Sequence, residues 1–416
     1  MTLIQLISEQ TMPNLLAMIR LRPKRVVHLY TNRTKNQSRT LKNAANALGL
    51  HPQWQYCLMS DMPSIRETHD TICHIHEKNL AEDPNATTVI HFTGGTKLMS
   101  IGAYAAASAK QCPSLYVDTF TQQFMDGHTS PVMRQLIGQD NHFQSIYDQL
   151  HVEVLGVANG INRITSGKEW RPMLSLAKCL FNDRQAEEAT HNAIHGPGGL
   201  CDNGHEPRNP DGWLRLINTP VILPTMIASL AVESGLVRQG PLADSILLPD
   251  STAEELSFLA QNRVDNYNAR YYQALAPLQH AISFLTGAWW EIIVCEAAHQ
   301  SGYATDIRWS CLVGDEKGLE TEADVLGMDG VELLYISCKR GGSKSRFLPL
   351  LEETKGRAST IGGSYNRRFL AILHAPKGKT YRDLIHQAVA HGIRLITREN
   401  VHIPEIFSKD YRPNAR

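Results

Sequence analysis

Residues 322–339 read EADVLGMDGVELLYISCK, two short apolar segments on either side of a glycine-rich turn. The segments Ala323–Leu326 and Val331–Cys338 are rich in Val, Ile, Leu and Tyr, which favour strands. The intervening Gly327–Gly330 ends in an Asp-Gly pair, which favours the positive φ angles of a tight turn. The pattern therefore predicts an antiparallel β-hairpin at the centre of the C-terminal region.

Two charged residues on this hairpin, Asp324 and Lys339, are suited to phosphodiester hydrolysis. They are 15 residues apart, and strand pairing would bring them together. A carboxylate can hold a divalent cation that polarises a phosphoryl oxygen and acidifies a water, while a lysine orients that water or neutralises developing charge. Glu291, at the start of an apolar helical segment, is a candidate for a further acid. Such charges are also common at strand ends, so spacing alone leaves both interpretations open.

The order of helical Glu, strand Asp and strand Lys resembles the restriction-endonuclease-like nucleases with the signature (D/E)…(D/E)-x-K. One position departs from that signature, because Ser337 stands where the family has a carboxylate two residues before the lysine. The resemblance implies Mn²⁺ or Mg²⁺, held by Glu291, Asp324 and the carbonyl of Cys338, with Glu322 as an alternative ligand. The catalytic residues that it implies are Glu291, Asp324 and Lys339.

A second informative segment, residues 89–100, reads VIHFTGGTKLMS. It predicts an apolar strand, a Gly-Gly turn and the start of an alanine-rich helix that continues through 101–109. Helix N-termini carry unpaired amides that bind anionic groups, and Thr and Lys side chains add donors. The spacing is not that of a P-loop, since Thr96 separates Gly95 from Lys97.

Strands and helices alternate along the rest of the N-terminal region. The predicted strands are Leu3–Ile7, Arg25–Tyr30, Gln53–Met59, Thr87–Phe92 and Ser114–Asp118. The predicted helices are Asn14–Ile19, Ser38–Leu48, Ser64–Leu80 and Lys97–Lys110. This alternation indicates a parallel sheet covered by helices on both faces, with ligands at the C-terminal strand ends.

Three polar loops are expected at those strand ends, Glu9–Asn14, Tyr30–Thr34 and Thr93–Lys97. Their composition is also that of ordinary compact turns. The candidate ligand-binding residues in them are Gln10, Thr11, Pro13, Asn14, Tyr30, Thr31, Thr93, Gly94, Gly95, Thr96 and Lys97.

A Rossmann-like domain with a Thr-Gly-Gly-Thr-Lys turn, followed by a restriction-endonuclease-like domain, resembles the CARF-domain nucleases of type III CRISPR defence, the Card and Can effectors. The resemblance covers residues 1–125 and about 280–416. It implies a metal-dependent endonuclease of antiviral defence, allosterically activated by cyclic oligoadenylate, and a homodimer whose CARF domains share one cyclic tetra-adenylate. Single-stranded DNA, RNA and supercoiled duplex all remain possible substrates, and the ring size of the activator stays open.

An α/β protein of three domains is therefore expected: a Rossmann-like CARF domain over 1–125, a connector or small helical domain over 126–280, and a restriction-endonuclease-like domain over 281–416. Within the connector, residues 196–212 are predicted to form a loop or insertion. Helical periodicity is found at Met173–Phe181, Thr225–Val237 and Ala253–Leu259. A winged-helix connector would also suit a ligand-responsive transcriptional regulator that binds DNA without cleavage. A third possibility is an enzyme that hydrolyses the cyclic nucleotide in its N-terminal domain.

The composition limits where nucleic acid could bind. The chain has 41 basic and 41 acidic residues, so a basic surface must be local rather than diffuse. A basic cluster follows the hairpin and consists of Lys339, Arg340, Lys344, Arg346, Lys355, Arg357, Arg367 and Arg368.

The absence of a membrane-length apolar run and of a signal peptide predicts a cytoplasmic protein without a membrane partner. The eight cysteines form no C-x-x-C pair and are interpreted as reduced thiols.

Overall fold

A computed structural model describes residues 1–411 apart from 129, 139, 202–205, 208, 262–268, 315–319, 342 and 343, and of Lys344 the backbone alone. Within these residues the chain forms an α/β fold with two six-stranded sheets and one three-stranded sheet.

The N-terminal sheet alternates with helices as predicted, with element ends displaced by a few residues. Its strands are β1 (Thr2–Leu6), β2 (Arg25–Tyr30), β3 (Gln53–Leu58), β4 (Thr88–His91), β5 (Ser114–Asp118) and β6 (Gln123–Asp126). Its helices are α1 (Met12–Leu21), α2 (Lys35–Ala47), α3 (Ile65–Glu82) and α4 (Lys97–Ala109). The strand order is β3-β2-β1-β4-β5-β6, parallel throughout except for β6. The direction of strand addition reverses between β1 and β4, where open α/β sheets bind ligands.

The middle region is mainly helical and contains the small sheet, with order β8-β10-β9. Its helices are α5 (Pro131–Ile137), α6 (Val152–Ala158), α7 (Leu174–Asn182), α8 (Arg184–His195), α9 (Pro210–Ile217), α10 (Thr225–Glu233) and α11 (Ala253–Gln261). Its strands are β7 (Arg163–Ile164), β8 (Val221–Ile222), β9 (Arg238–Gln239) and β10 (Ser245–Leu247). Short 3-10 turns lie at Asn32–Thr34, Phe143–Gln149, Arg171–Met173 and Pro404–Phe407.

Two predictions for this region need correction. The expected loop at 196–212 is shorter, because Pro210 starts α9 and the Asn209 side chain caps it, accepting from the Gly212 amide at 2.8 Å. Residues 202–205 and 208 of that loop lie outside the described residues. The helix expected to reach Val237 ends at Glu233. The winged-helix interpretation stays a prediction.

The C-terminal sheet has the order β15-β14-β13-β12-β11-β7. Its strands are β11 (Thr305–Gly314), β12 (Glu320–Asp329), β13 (Glu332–Gly341), β14 (Asn366–His374) and β15 (Ile393–Thr397). The helices around it are α12 (Ala269–Ser283), α13 (Trp289–Gln300), α14 (Lys344–Gly362) and α15 (Gly378–Ala390), with a π-helical turn at Phe284–Ala288. Strands β11 to β13 form an antiparallel meander, and β13, β14 and β15 run parallel.

The predicted hairpin is present as β12 and β13, but its turn is tighter than expected. Asp329 pairs with Glu332, so Gly330 and Val331 alone connect the strands, and Gly327 lies within β12. Gly330 adopts the positive φ that the Asp-Gly pair predicted, 58°. The strands are therefore longer than the apolar segments, and their far ends carry the charged residues.

Among the described residues, one helical stretch, Ala269–Gln300, is long and apolar enough to cross a membrane, with mean hydropathy 1.3. It comprises α12, the π-helical turn and α13. Within its apolar window 61% of the surface is buried in the protein, and Trp289 and Trp290 are each only 1% exposed. The stretch therefore packs as a core helix of the C-terminal region.

Helix α6 joins the N-terminal helices to the C-terminal sheet. It packs on α2, and its first amide, of Val152, donates to Asp306 of β11 at 2.8 Å. Glu153 forms a bidentate ion pair with Arg308, which is only 11% exposed. One hydrophobic cluster extends from Leu16 of α1 through this helix to the face of β12. The N-terminal and C-terminal regions consequently share a packed core.

Candidate active site and ligand pocket

Asp324 lies where β12 and β13 separate. Backbone pairing of these strands runs from the turn to Val325 and Ile336. Beyond that point the Asp324 carboxylate accepts from the Cys338 amide at 2.6 Å and from the Ser337 hydroxyl at 3.4 Å. These two hydrogen bonds, from the Cys338 amide and the Ser337 hydroxyl, hold the Asp324 carboxylate in place at the point where the strands separate.

Lys339 and Glu291 complete the predicted group. The Lys339 ammonium lies 3.6 Å from the Asp324 carboxylate. Glu291 stands in the first turn of α13 and accepts a hydrogen bond from the indole nitrogen of Trp309 at 2.8 Å. Glu291, Cys338 and Lys339 line one cavity of about 180 Å³. The structure therefore brings Glu291, Asp324 and Lys339 together, as the sequence predicts.

The carboxylates of this site repel one another. Burial, followed by the charge of Asp324, raises the pKa of Glu291 to about 8. Burial likewise raises the pKa of Asp324, although Lys339 and the Cys338 amide oppose the rise. The charge of Glu322 adds to both effects. Two acids held in their charged form here need a counter-charge greater than one lysine provides.

A divalent cation fits this arrangement. Glu291 and Asp324, whose pKa values are both raised by burial, offer carboxylate oxygens of the kind that Mg²⁺ and Mn²⁺ prefer. Among the residues that the structure describes, no three His, Cys, Asp or Glu side chains converge as a metal-binding group. A cation held by Glu291 and Asp324 would therefore take its remaining ligands from backbone or solvent oxygens, and the backbone candidate is the carbonyl of Cys338, a residue that lines the cavity with Glu291.

Glu322 lies beside the site rather than within the 180 Å³ cavity. Its carboxylate accepts from the Ser310 hydroxyl and lies 3.9 Å from the Lys168 ammonium. Ser310, opposite Asp324 on β11, has a left-handed φ of 53°. The sequence contains no signal for Trp309, Ser310 or Lys168. Trp309 and Ser310 reach the site through the pairing of β11 with β12, and Lys168 comes from a segment more than 150 residues before Glu322.

A buried ion network connects the middle region to the end of β13 that carries Lys339. Glu187 of α8 is only 2% exposed and bonds Arg340 at 2.9 Å, His374 at 3.2 Å and Arg398 at 3.5 Å. Arg340 follows Lys339 on β13 and donates to the Thr286 carbonyl at 2.6 Å. Arg340, His374 and Arg398 lie at or just beyond the ends of the adjacent strands β13, β14 and β15. Removing one partner of such a network costs about 3–5 kcal/mol, so Glu187 anchors α8 to the sheet.

The predicted basic cluster does not form one surface. Arg367 is 11% exposed and pairs with Asp329 and Glu332, and Arg368 is bonded to the His391 carbonyl at 3.3 Å. Burial lowers the pKa of both guanidinium groups. With Arg340 also bound to Glu187, these arginines are structural. The side chain of Lys344 lies outside the described residues.

The three loops predicted to bind ligand follow β1, β2 and β4, which are adjacent and parallel. Their ends therefore share one edge of the sheet. An exposed ion pair of 2.5 Å between Glu9 and Arg33 connects the first loop to the second. Asn14, fully buried, donates to the Leu6 carbonyl at 3.0 Å and keeps its side-chain oxygen without a hydrogen-bond partner.

The turn after β4 has the form that the sequence predicts. A Cβ on Gly94 would overlap the carbonyl oxygen of Leu6, and Gly95 has a positive φ of 77°. The Thr96 hydroxyl caps α4 by accepting from the Met99 amide at 3.3 Å, and Lys97 is the first, exposed residue of the helix. Glycine at position 94 is thus required for the turn to pack closely against the end of β1. The turn leaves the N-terminus of α4 accessible to an anion.

The other candidate ligand residues differ in exposure. Gln10, like Thr96 and Lys97, is exposed, whereas Thr11 and Pro13 are buried at the start of α1. Of the remaining candidates in the second and third loops, Tyr30 and Thr93 are partly buried, and the Thr93 hydroxyl accepts from the Val117 amide at 2.7 Å. Thr31 is buried, and its backbone amide donates to the Thr34 hydroxyl at 3.1 Å. The exposed side chains are the ones positioned to meet a ligand directly.

The family and the fold agree with the predicted resemblance. A family model described as the Card1 CARF domain matches residues 2–135, which confirms a CARF domain at the N-terminus. The fold is similar to that of Can2 from Sulfobacillus thermosulfidooxidans in complex with cyclic tetra-adenylate (TM-score 0.65, 16% identity, covering 97% of this chain and 98% of that chain). It is also similar to protein VC1899 from Vibrio cholerae (TM-score 0.65, 14% identity, 97% and 96% covered). Identities this low establish the fold alone. No curated protein sequence matches the chain significantly.

Proposed function

We propose that the protein is a metal-dependent nuclease of type III CRISPR defence, switched on by cyclic tetra-adenylate. The observation that carries the proposal is the convergence of Glu291, Asp324 and Lys339 at a strand end, in a chain with an N-terminal CARF domain. Mn²⁺ or Mg²⁺, held by Glu291 and Asp324, would supply Lewis-acid activation of the phosphate and of water. Lys339 orients the phosphate and offsets its charge, and the Cys338 amide fixes Asp324 for this role.

Activation is proposed to operate through a homodimer. On α4, Leu98, Ile101 and Tyr104 are 49%, 52% and 43% exposed, an apolar stripe next to the Gly94-Gly95 turn. Large exposed apolar side chains on one face mark an interaction surface. A four-membered ring has two-fold symmetry, so identical turns on two subunits can each grip part of it. The Can2 structure of the same fold contains this ring. Such a sensor would act in the cytoplasm.

The test is cleavage by purified protein with and without the ring and Mn²⁺, on single-stranded DNA, RNA and supercoiled duplex. Asp324→Asn and Lys339→Ala should each lower cleavage about a thousandfold while ring binding is retained, since the ring site is in another domain. Glu320→Gln is a matched control on the same strand, because Glu320 is 43% exposed and pairs with Arg163. A protein that binds duplex specifically and cleaves nothing would be a regulator instead.

A further inference from the structure

A second cavity, of about 390 Å³, lies between α14 and strands β11 to β13. Glu322 and Ala323, the two residues before Asp324, form part of its wall, and the apolar side chains of Val313 and Ile361 form much of the rest. Its volume lies in the range of small-molecule pockets, about 300–1,000 Å³. The cavity is therefore large enough for a ring system, and two of its lining residues directly precede Asp324 on β12.

Gly356 stands at the mouth of this cavity within α14. A Cβ placed there would meet no atom within 4 Å, and the residue does not have a positive φ. Glycine in a helix interior costs about 0.5–1 kcal/mol relative to alanine. Neither backbone conformation nor packing requires glycine here, and its effect is to leave the mouth of the cavity wide.

A hydrogen-bond acceptor and a hydrogen-bond donor line the same opening. Glu353, three residues before Gly356 on α14, and Arg357, the residue directly after it, form an ion pair of 2.9 Å in which both side chains are about 40% exposed. Arg357 also donates to the Glu322 carbonyl at 3.1 Å. Tyr335 also lines the cavity, and burial raises the pKa of its hydroxyl, which therefore stays protonated and able to donate. An exposed ion pair is worth roughly 0–1 kcal/mol, so a ligand can displace it at little cost.

We propose that this cavity binds a nucleobase of the substrate strand, guanine in preference to the other bases, beside the phosphate held at Asp324. The inference rests on the proposed nuclease function and names its substrate specificity. Extruded bases are bound between apolar walls and read through hydrogen bonds at their edges. The Glu353 carboxylate can accept from the adjacent N1 and N2 donors of guanine, while the Arg357 guanidinium donates to O6 and N7. Adenine lacks that pair of adjacent donors.

Cleavage of single-stranded oligonucleotides that differ only in one guanosine tests the inference. Wild-type protein should cut at a fixed distance from the guanosine, with a preference of about tenfold over guanosine-free strands. Gly356→Leu, which narrows the mouth, and Glu353→Gln should both reduce that preference to about one. Glu352→Gln, an exposed neighbour outside the cavity, should retain it. Cut positions that ignore the guanosine, or a preference unchanged in Gly356→Leu, would overturn the inference.

Binding measured without cleavage separates this inference from the proposed function. Calorimetry would use full-length Asp324→Asn protein saturated with cyclic tetra-adenylate, titrated with each of the four nucleoside 5′-monophosphates. Guanosine monophosphate should bind most tightly, and Gly356→Leu should abolish its binding. If wild-type protein binds guanosine monophosphate but cleaves no substrate, the cavity assignment is supported and the proposed nuclease function is overturned. Cleavage with no discrimination among the monophosphates would overturn the cavity assignment alone. The Gly356→Ala variant should unfold at the same temperature as wild type or higher, because alanine favours a helix more than glycine does. A weakened guanosine preference in this variant is therefore not caused by misfolding.

Discussion

Removing the Glu291 carboxylate should destroy activity and stabilise the metal-free fold at the same time. Glu291→Gln keeps the shape of the side chain and can still accept from the Trp309 indole, which lies 2.8 Å away. It removes an acid whose charged form is disfavoured by burial and by the neighbouring Asp324 carboxylate. Residues that serve only packing do not behave in this way, because their loss lowers stability.

The size of the effect follows from the raised pKa of Glu291. In the folded protein this pKa is about 8, whereas the ordinary value is 4.5. The unfolded chain therefore releases its proton at lower pH than the folded one. Stability from this group is fully present below about pH 4.5 and is lost as pH rises towards 8. At about 1.4 kcal/mol per pH unit, the loss near neutral pH is of the order of a few kcal/mol.

Thermal unfolding of EDTA-treated protein measures this effect between pH 5 and 8. We expect Glu291→Gln to unfold a few degrees higher than wild type at pH 7.5 and at nearly the same temperature at pH 5. Glu320→Gln, exposed on β12, should follow the wild-type curve. Added Mn²⁺ should raise the unfolding temperature of wild type but not that of Glu291→Gln. A variant less stable than wild type at every pH would refute the assignment of a repelled acid pair.

Four further outcomes are expected. Lys97→Ala should raise the ring concentration needed for half-maximal activation severalfold and leave the saturated cleavage rate unchanged, as read from titrated cleavage assays. Ser337→Glu should change the relative rates with Mn²⁺ and Mg²⁺, measured by metal titration, because it adds a carboxylate beside Asp324. Ile101→Lys should convert a dimer to a monomer in light scattering and abolish activation, whereas a dimer that persists would place the interface elsewhere. Glu187→Gln should lower the unfolding temperature by several degrees, because it removes the buried carboxylate charge that pairs with Arg340 and Arg398.

The sequence alone determined the elements that depend on local patterns. Alternating apolar segments specified the parallel N-terminal sheet, and the Asp-Gly pair specified a hairpin with a positive φ at Gly330. The Thr-Gly-Gly-Thr-Lys turn could be predicted because Gly94 and Gly95 are required by backbone geometry, whatever the surroundings. Asp324 and Lys339 were predicted to meet because a hairpin relates its two strands by a simple register.

Contacts between distant segments could be decided only by the tertiary structure. Glu187 and Arg340 are separated by about 150 residues, and no periodicity links a carboxylate in a middle helix to an arginine at a strand end. The basic residues after the hairpin are close together in sequence but do not form one surface. Arg367 and Arg368 bond to neighbouring strands and loops instead of facing a ligand. Side-chain neighbours across a core depend on how elements pack, which local sequence does not encode. The cavity beside Gly356 is visible only once α14 is packed against the sheet.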